Sequence, residues 1–324
     1  MPASAPIALV LGATGGIGSE TALALGSRGW HIRAFYRPPR PPGDASAWEW
    51  IQGDAMDRSS VVAAAQGARA IVHAVNPPGY RNWDTLVLPM VANTIAAAEA
   101  SRARILLPGT IYNYGPDAYP VLREDSAQRA TTHKGRIRIA LEQQLEDAAR
   151  RGIRSLIVRF GDFFGPRPGG SWFSQAMVTP GRPLQRIVYP GKPAVGHSWA
   201  YLPDAAQAFA QLMDREAELE DFARFHFRGF YDADGTGMIA AIRRAAGQPS
   251  LRVRPLPWFV FGLAAPFNET MRELLATRPL WQTSIELDNS RLTRVLGSEP
   301  QTPTDQAVLT TLRALGCLPD TRAA

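Results

Sequence analysis

The stretch IALVLGATGGIG, Ile7 to Gly18, decides the architecture. Ile7 to Leu11 is an unbroken apolar run, as expected of a strand covered on both faces of a sheet. It breaks into a G-x-x-G-x-x-G turn, and a helical pattern follows over Ile17 to Ser27 with Gly29 as a stop signal. Strand, glycine turn and helix in this order form the context in which such a turn binds phosphate. Gly12 permits the tight turn, Gly15 lets a pyrophosphate approach the backbone, and Gly18 lets the helix pack closely on the strand. The free amides at the helix start face the anion with the helix dipole behind them. The turn is thus expected to give a dinucleotide its contacts through Gly12, Thr14, Gly15, Gly16, Ile17 and Gly18.

Working outward, strand and helix patterns alternate. Strands are expected at His31 to Tyr36, Trp48 to Gln52, Ala70 to Val75, Arg104 to Leu107 and Ser155 to Arg159. Helices are expected at Ser59 to Ala65, Thr85 to Ser101 and Lys134 to Arg151. RPPRPPG, Arg37 to Gly43, must be a loop, because each proline fixes φ and removes a donor. This order implies a parallel sheet with helices on both faces. After Pro166 the alternation fades and proline and glycine become frequent. The expected division is a dinucleotide-binding unit over 1–165, with contributions from about 195–230, and a mainly substrate-binding lobe over 166–324.

The end of the second strand bears on the choice of cofactor. An acidic residue there would bind a ribose 2′-hydroxyl. The sequence has Tyr36 and Arg37 instead, with Arg40 close by, and a guanidinium can accept a 2′-phosphate. NADP(H) is favoured over NAD(H), although solvated loop arginines remain the plain alternative.

Composition narrows the function classes. The 324 residues carry 35 basic against 29 acidic side chains, a net charge of +6. The arginines are scattered, without the basic run and interleaved aromatics that nucleic-acid binding needs. Cys317 is the one cysteine, so neither an internal disulfide nor a cysteine-based metal site is expected. The N-terminus lacks a basic segment before its apolar run and reads as a strand rather than a signal peptide. Trp258 to Phe267 is too short to span a bilayer and reads as a buried helix or lid segment. The expectation is a cytoplasmic protein with a small-molecule substrate, no nucleic-acid or membrane partner and no metal.

With these residues in hand, the chain resembles the extended short-chain dehydrogenase/reductases, the NAD-dependent epimerase/dehydratase group. GATGGIG looks like that family's cofactor turn, and QGDAMD, Gln52 to Asp57, like its adenine segment, implying Asp54 and Ala55 as contacts. IVHAVN, Ile71 to Asn76, resembles the strand beneath the cofactor, with His73, Ala74 and Val75 on the cofactor and Asn76 toward the substrate. LLPGTIYNYG, Leu106 to Gly115, resembles the strand bearing the catalytic Ser/Thr, here Thr110. VRFGDFFGP, Val158 to Pro166, resembles the turn beside the nicotinamide, with Phe160 and Phe163. HSWAYLPDAAQA, His197 to Ala208, and LDNSRLTRVLG, Leu287 to Gly297, resemble later family segments. The resemblance implies an α/β fold, a doubly wound parallel sheet of Rossmann type with a smaller C-terminal substrate lobe. It also implies a homodimer built from the two long helices.

The departures are as informative. The family's Tyr-x-x-x-Lys puts a general acid and a ribose-binding cation on one helix face. Here Gly135 and Glu142 fix an alignment in which Lys134 stands for the tyrosine and Arg138 for the lysine. Lys134 could serve as acid/base, because a cationic neighbour favours its neutral form; alternatively both residues are only cations, with Arg138 on the ribose. Tyr112, two residues after Thr110, is either a replacement proton donor or an aromatic wall. Asp162 stands where sugar-nucleotide epimerases often carry Asn, and a carboxylate there repels a diphosphate. The aromatics around it, Trp172 and Trp199 among them, are either substrate pocket or lobe core. Two functions remain: an NADP(H)-dependent oxidoreductase or epimerase-like enzyme for a small carbonyl or hydroxyl compound, not a nucleotide sugar, and a cofactor-binding sensor or regulator.

Overall fold

A computed structural model describes residues 5–38, 48–77, 79, 81–167 and 169–318. The first half builds strands β1 (Ile7–Leu11), β2 (His31–Tyr36), β3 (Glu49–Gln52), β4 (Ala68–His73), β5 (Arg104–Gly109), β6 (Val121–Leu122) and β7 (Ser155–Arg159). Its helices are α1 (Gly16–Gly26), α2 (Arg58–Ala64), α3 (Trp83–Ser101) and α4 (His133–Ala149). The second half adds β8 (Asp162–Phe164), β9 (Arg186–Tyr189), β10 (His197–Tyr201), β11 (Phe222–His226), β12 (Phe230–Asp232), β13 (Arg252–Pro255) and β14 (Glu286–Leu287). Its helices are α5 (Leu202–Asp214), α6 (Gly237–Ala246), α7 (Trp258–Ala264), α8 (Glu269–Ala276), α9 (Ser290–Leu296) and α10 (Thr304–Ala314).

Seven strands form the main sheet in the order β11-β7-β5-β4-β1-β2-β3. Every pairing in it is parallel. The alternation of β1 explains its central place. Ala8 and Val10 pack into one apolar layer with α1 and α5, while Leu9 and Leu11 pack into the opposite layer with α2, α3 and α4. A strand buried on both faces must be apolar throughout, as β1 is. The strand order reverses between β1 and β4, and a doubly wound sheet opens its ligand crevice at that switch point.

The smaller sheet, β12-β10-β8, sits over a second core containing Phe164, Phe173, Trp199 and Trp281. Two buried polar clusters brace the carboxyl ends of β7 and β11. In the first, Arg159 at the end of β7 is fully buried and forms a bidentate pair with Glu142 of α4, its Nε 3.0 Å from Oε1. In the second, His226 of β11 donates from Nδ1 to Leu122 O at 3.1 Å, leaving Nε2 to accept from Tyr114 Oη at 3.0 Å. Burial and the nearby Arg159 push His226 down to about 3, so it stays neutral.

The apolar stretch after β13 departs from its expected burial. It does form helix α7, but Phe259 and Leu263 face solvent. Of the RPPRPPG loop, only Arg37 and Pro38 lie among the described residues.

Removing one partner of a buried ion pair strands the other charge, at a cost of about 3–5 kcal/mol. Glu142→Gln is therefore expected to lower the unfolding free energy by about that amount in urea titration. A change no larger than that of an exposed substitution would contradict the role given to the pair.

Candidate active site

The carboxyl ends of β1, β4, β5 and β7 open into a cleft of about 600 Å³. Its floor is the glycine turn. Gly12 has φ +90°, and a Cβ there would lie 2.5 Å from Ala74 O; a Cβ on Gly18 would lie 2.2 Å from Gly12 O. Both positions therefore exclude any side chain. Gly15 differs: a Cβ there would meet only Gly12 O, at 3.4 Å, and Gly15, Gly16 and Ile17 all line the cleft. Its bareness is not demanded by the protein's own packing. It leaves backbone amides open to a phosphate, so the residues fit a dinucleotide. Thr14 is exposed at the tip of the turn.

The remaining expected cofactor residues divide by position. Ala74, Phe160 and Phe163 line the cleft. Tyr36 packs edge-on against Trp50, with ring centroids 5.7 Å apart, and Arg37 is exposed just past β2; Arg40 lies outside the described residues. Asp54 and Ala55 follow β3, where Asp54 Oδ1 accepts from Met56 N at 2.9 Å and Ala55 O from Asn93 Nδ2 at 2.9 Å. Val75 is partly buried against the α3 side of the core. The His73 side chain is a correction. It is buried and turned into α3, with Nδ1 2.8 Å from Thr94 Oγ1. Burial, then Arg138, pushes it down to about 3, so no proton is available from it near neutrality.

The expected catalytic residues meet at one end of the cleft, with one exception. Thr110, Tyr112, Asn76 and Arg138 line it. Arg138 Nη2 donates to Asn76 Oδ1 at 2.7 Å, and its guanidinium lies 5.0 Å from the Trp83 ring centroid. Trp83, which sequence reasoning missed, is therefore the platform for this cation. Lys134 does not line the main cleft. It shares the Trp83 ring at 5.5 Å but lies in a side cavity of about 60 Å³ with Glu273 3.5 Å away. Tyr112, Thr277 and Leu280 border both spaces. Burial pushes the Lys134 ammonium down to about 8; Glu273 opposes this shift and Arg138 adds to it.

A polar chain runs inward from Thr110. Its hydroxyl is 3.4 Å from Asn113 Oδ1; Asn113 Nδ2 donates to Gln128 Oε1 at 3.0 Å, and Gln128 Nε2 to Glu142 Oε2 at 3.1 Å. The cleft hydroxyl is thereby tied to the Arg159–Glu142 pair.

Another part of the cleft wall is aromatic. Asp162 lines it, and His197 Nε2 donates to Asp162 Oδ2 at 2.8 Å. His197 stacks on Trp281, with centroids 3.8 Å apart and planes 10° from parallel. Trp172 also lines the cleft, 5.6 Å from Trp281. Trp199 does not: it is fully buried against Phe164, Phe173 and Trp281, so it belongs to the lobe core, and its assignment to substrate is corrected. Thr270, Leu274 and Thr277, from α8 and the turn after it, also line the cleft. Their one-turn spacing marks a helix face, but nothing local shows that the face covers a cleft rather than a core.

Comparison with known proteins agrees with this geometry. The profile of the NAD-dependent epimerase/dehydratase family matches residues 8–224. A 3-diazoavenalumate denitrifying reductase from a Streptomyces species is 26% identical over 318 residues, covering 91% of this chain and 96% of that protein. Among solved structures, a UDP-glucose 4-epimerase from Stenotrophomonas maltophila with bound NAD superposes with TM-score 0.71 at 16% identity, covering 96% of this chain and 98% of the other. A nucleoside-diphosphate-sugar epimerase from Pseudomonas aeruginosa gives 0.68 at 20% identity, over 96% and 97%. At such identities the two structures establish the fold alone. By its family match over most of its length, the chain belongs to the NAD-dependent epimerase/dehydratase family and is an NAD(P)-dependent enzyme of oxidoreductase or epimerase type.

Proposed function

We propose that the chain is an NADP(H)-dependent oxidoreductase acting on a small, largely apolar carbonyl or hydroxyl compound, and not on a nucleotide sugar. The carrying observation is Asp162, a carboxylate braced by His197 on the cleft wall beside Trp172 and Trp281. A diphosphate brought to this wall meets like charge at short range. An apolar molecule with few polar anchors suits a cleft of this lining.

Within this reading each residue has a task. The glycine turn holds the pyrophosphate on its amides, and Arg37 meets the 2′-phosphate. Arg138, fixed by Asn76 and Trp83, donates to ribose hydroxyls. When bound, the dinucleotide supplies or accepts hydride. Thr110 polarises the substrate oxygen, and the Tyr112 phenol gives that oxygen the proton it needs when the carbon is reduced. The family resemblance adds pairing of two copies through α3 and α4, and the lone cysteine suits a reducing, cytoplasmic setting.

The exchange of Tyr and Lys for Lys134 and Arg138 favours a second reading. The Streptomyces relative is named for a diazo substrate. A hydride acceptor of that class has no oxygen for a phenol to protonate, so loss of the tyrosine would cost it little.

NADPH absorbance followed with a panel of ketones, aldehydes, an aryl diazo compound and a UDP-sugar tests the proposal. Oxidation is expected with a small panel member, not with the UDP-sugar. Arg37→Asp should reduce the preference for NADPH over NADH about tenfold or more. Tyr112→Phe should lower kcat on a carbonyl about a hundredfold. Full turnover of a carbonyl by that variant would refute the role of Tyr112. Turnover of the UDP-sugar would refute the substrate class.

The titration of Lys134 is directly readable, because the sequence has only two lysines, Lys134 and Lys192. Folded Lys134 should lose its proton near pH 8, whereas an unfolded chain keeps it to about pH 10.4. The unfolded chain binds more protons between these values, so this site makes the fold more stable as pH rises through that window and contributes no slope below it. Isotope-labelled lysine NMR should show the midpoint near 8. A midpoint at the unfolded value would contradict the buried placement.

A further inference from the structure

Helices α7 and α8 bury none of their residues. Phe259 is 71% exposed, Leu263 73% and Phe267 92%, with Val260 beside them at 46%. Among the described residues only seven large apolar side chains are exposed, and four of them fall in this segment, so it is a patch and not scatter. Burying such a side chain is worth about 1.5–3 kcal/mol, and a contiguous exposed patch marks a contact surface. The base of the patch is fixed: Trp258 Nε1 donates to Pro190 O at 2.9 Å, and its ring lies 5.6 Å from that of Trp172.

The exposed charges near the patch in sequence are basic. Arg252 and Arg254 precede α7, Arg272 lies on the α8 packed against it, and Arg278 follows; all four are exposed. The acidic residues of the segment are engaged elsewhere, Glu269 with Asn82 N at 3.3 Å and Glu273 with Lys134 at 3.5 Å.

We propose that the α7 arm seats the protein on an anionic lipid surface. Phe259, Leu263 and Phe267 enter the headgroup–acyl boundary while the arginines meet the headgroups, the arrangement of an interfacial amphipathic segment. A second copy docking here would bring two arginine rims together. A side chain as exposed as Phe267 projects outward and lines no groove for a peptide. The sequence-based expectation of no membrane partner rested on span length, and a surface contact needs no span. The proposal does not rest on the oxidoreductase reading.

Sedimentation of the full chain with phosphatidylcholine vesicles, with and without phosphatidylglycerol, tests it. Binding is expected only with phosphatidylglycerol present, and it should weaken with added salt. The triple variant Phe259→Ser/Leu263→Ser/Phe267→Ser should bind these vesicles at least about tenfold more weakly, with NADP(H) affinity and Tm unchanged. Arg252→Glu/Arg254→Glu should weaken the same binding. No affinity for the anionic vesicles overturns the proposal, as does equal binding by wild type and the triple variant. It is also overturned if, without vesicle binding, the triple variant turns a dimer into a monomer in sedimentation velocity, because a second copy would then be the occupant.

Discussion

The turn between β1 and α1 must leave backbone amides bare, and the rest of the site is arranged around that requirement. Gly12 and Gly18 are glycine because Ala74 O and Gly12 O stand where their side chains would go. Gly15 is under no such pressure from the protein, which is why its bareness points to a ligand. Because β1 is central in the sheet, the turn opens at the place where the strand order reverses. The ends of β4, β5 and β7 then bring Asn76, Thr110 and Asp162 to the same crevice. A doubly wound sheet produces this convergence whatever the substrate.

Two parts of the cleft wall differ in character. In one a cation lies 5.0 Å from the Trp83 ring centroid and is fixed by Asn76; in the other a carboxylate is held by His197, whose ring stacks on Trp281. The polar chain from Thr110 through Asn113 and Gln128 to Glu142 anchors the first part to the buried Arg159. Buried charge is tolerated there because it is paired and hydrogen-bonded on several sides. Lys134 and Arg138 thus lie on the same helix, α4, as Glu142 of this network.

Much of the fold was legible in the sequence. β1, β2 and β7 carry the bounds expected from their apolar runs, and α3 and α4 start within two residues of theirs. Periodicity reports this well where both faces of a strand are covered. In the second half the strands are two to five residues long and pair with partners remote in sequence, as Trp199 does with Asp162, so no local pattern fixes them. Lys134 and Arg138 do share one helix face, at the Trp83 ring, as their spacing implied. The spacing could not show that Tyr112 would border two cavities and leave Lys134 in the smaller. Trp172 and Trp199 look alike in sequence, yet one lines the cleft and the other fills the core. The lining of the cleft by Leu274, Thr277 and Trp281 was invisible for the same reason: it depends on contacts between distant segments. The exposure of α7 has the opposite sign from its composition, since an apolar run reads as buried unless its partner lies outside the chain.

The central claim is that open amides at this turn hold a dinucleotide, and Gly15→Val addresses it most directly. The position is extended, with φ −88° and ψ 163°, so the chain accepts a side chain there without strain. Isothermal titration with NADP(H) should show binding by the wild type and a loss of about a hundredfold or more in the variant, with Tm preserved, because the valine fills the phosphate seat. A wild type with no measurable affinity for either pyridine dinucleotide, or a variant that binds as tightly as the wild type, would contradict the account.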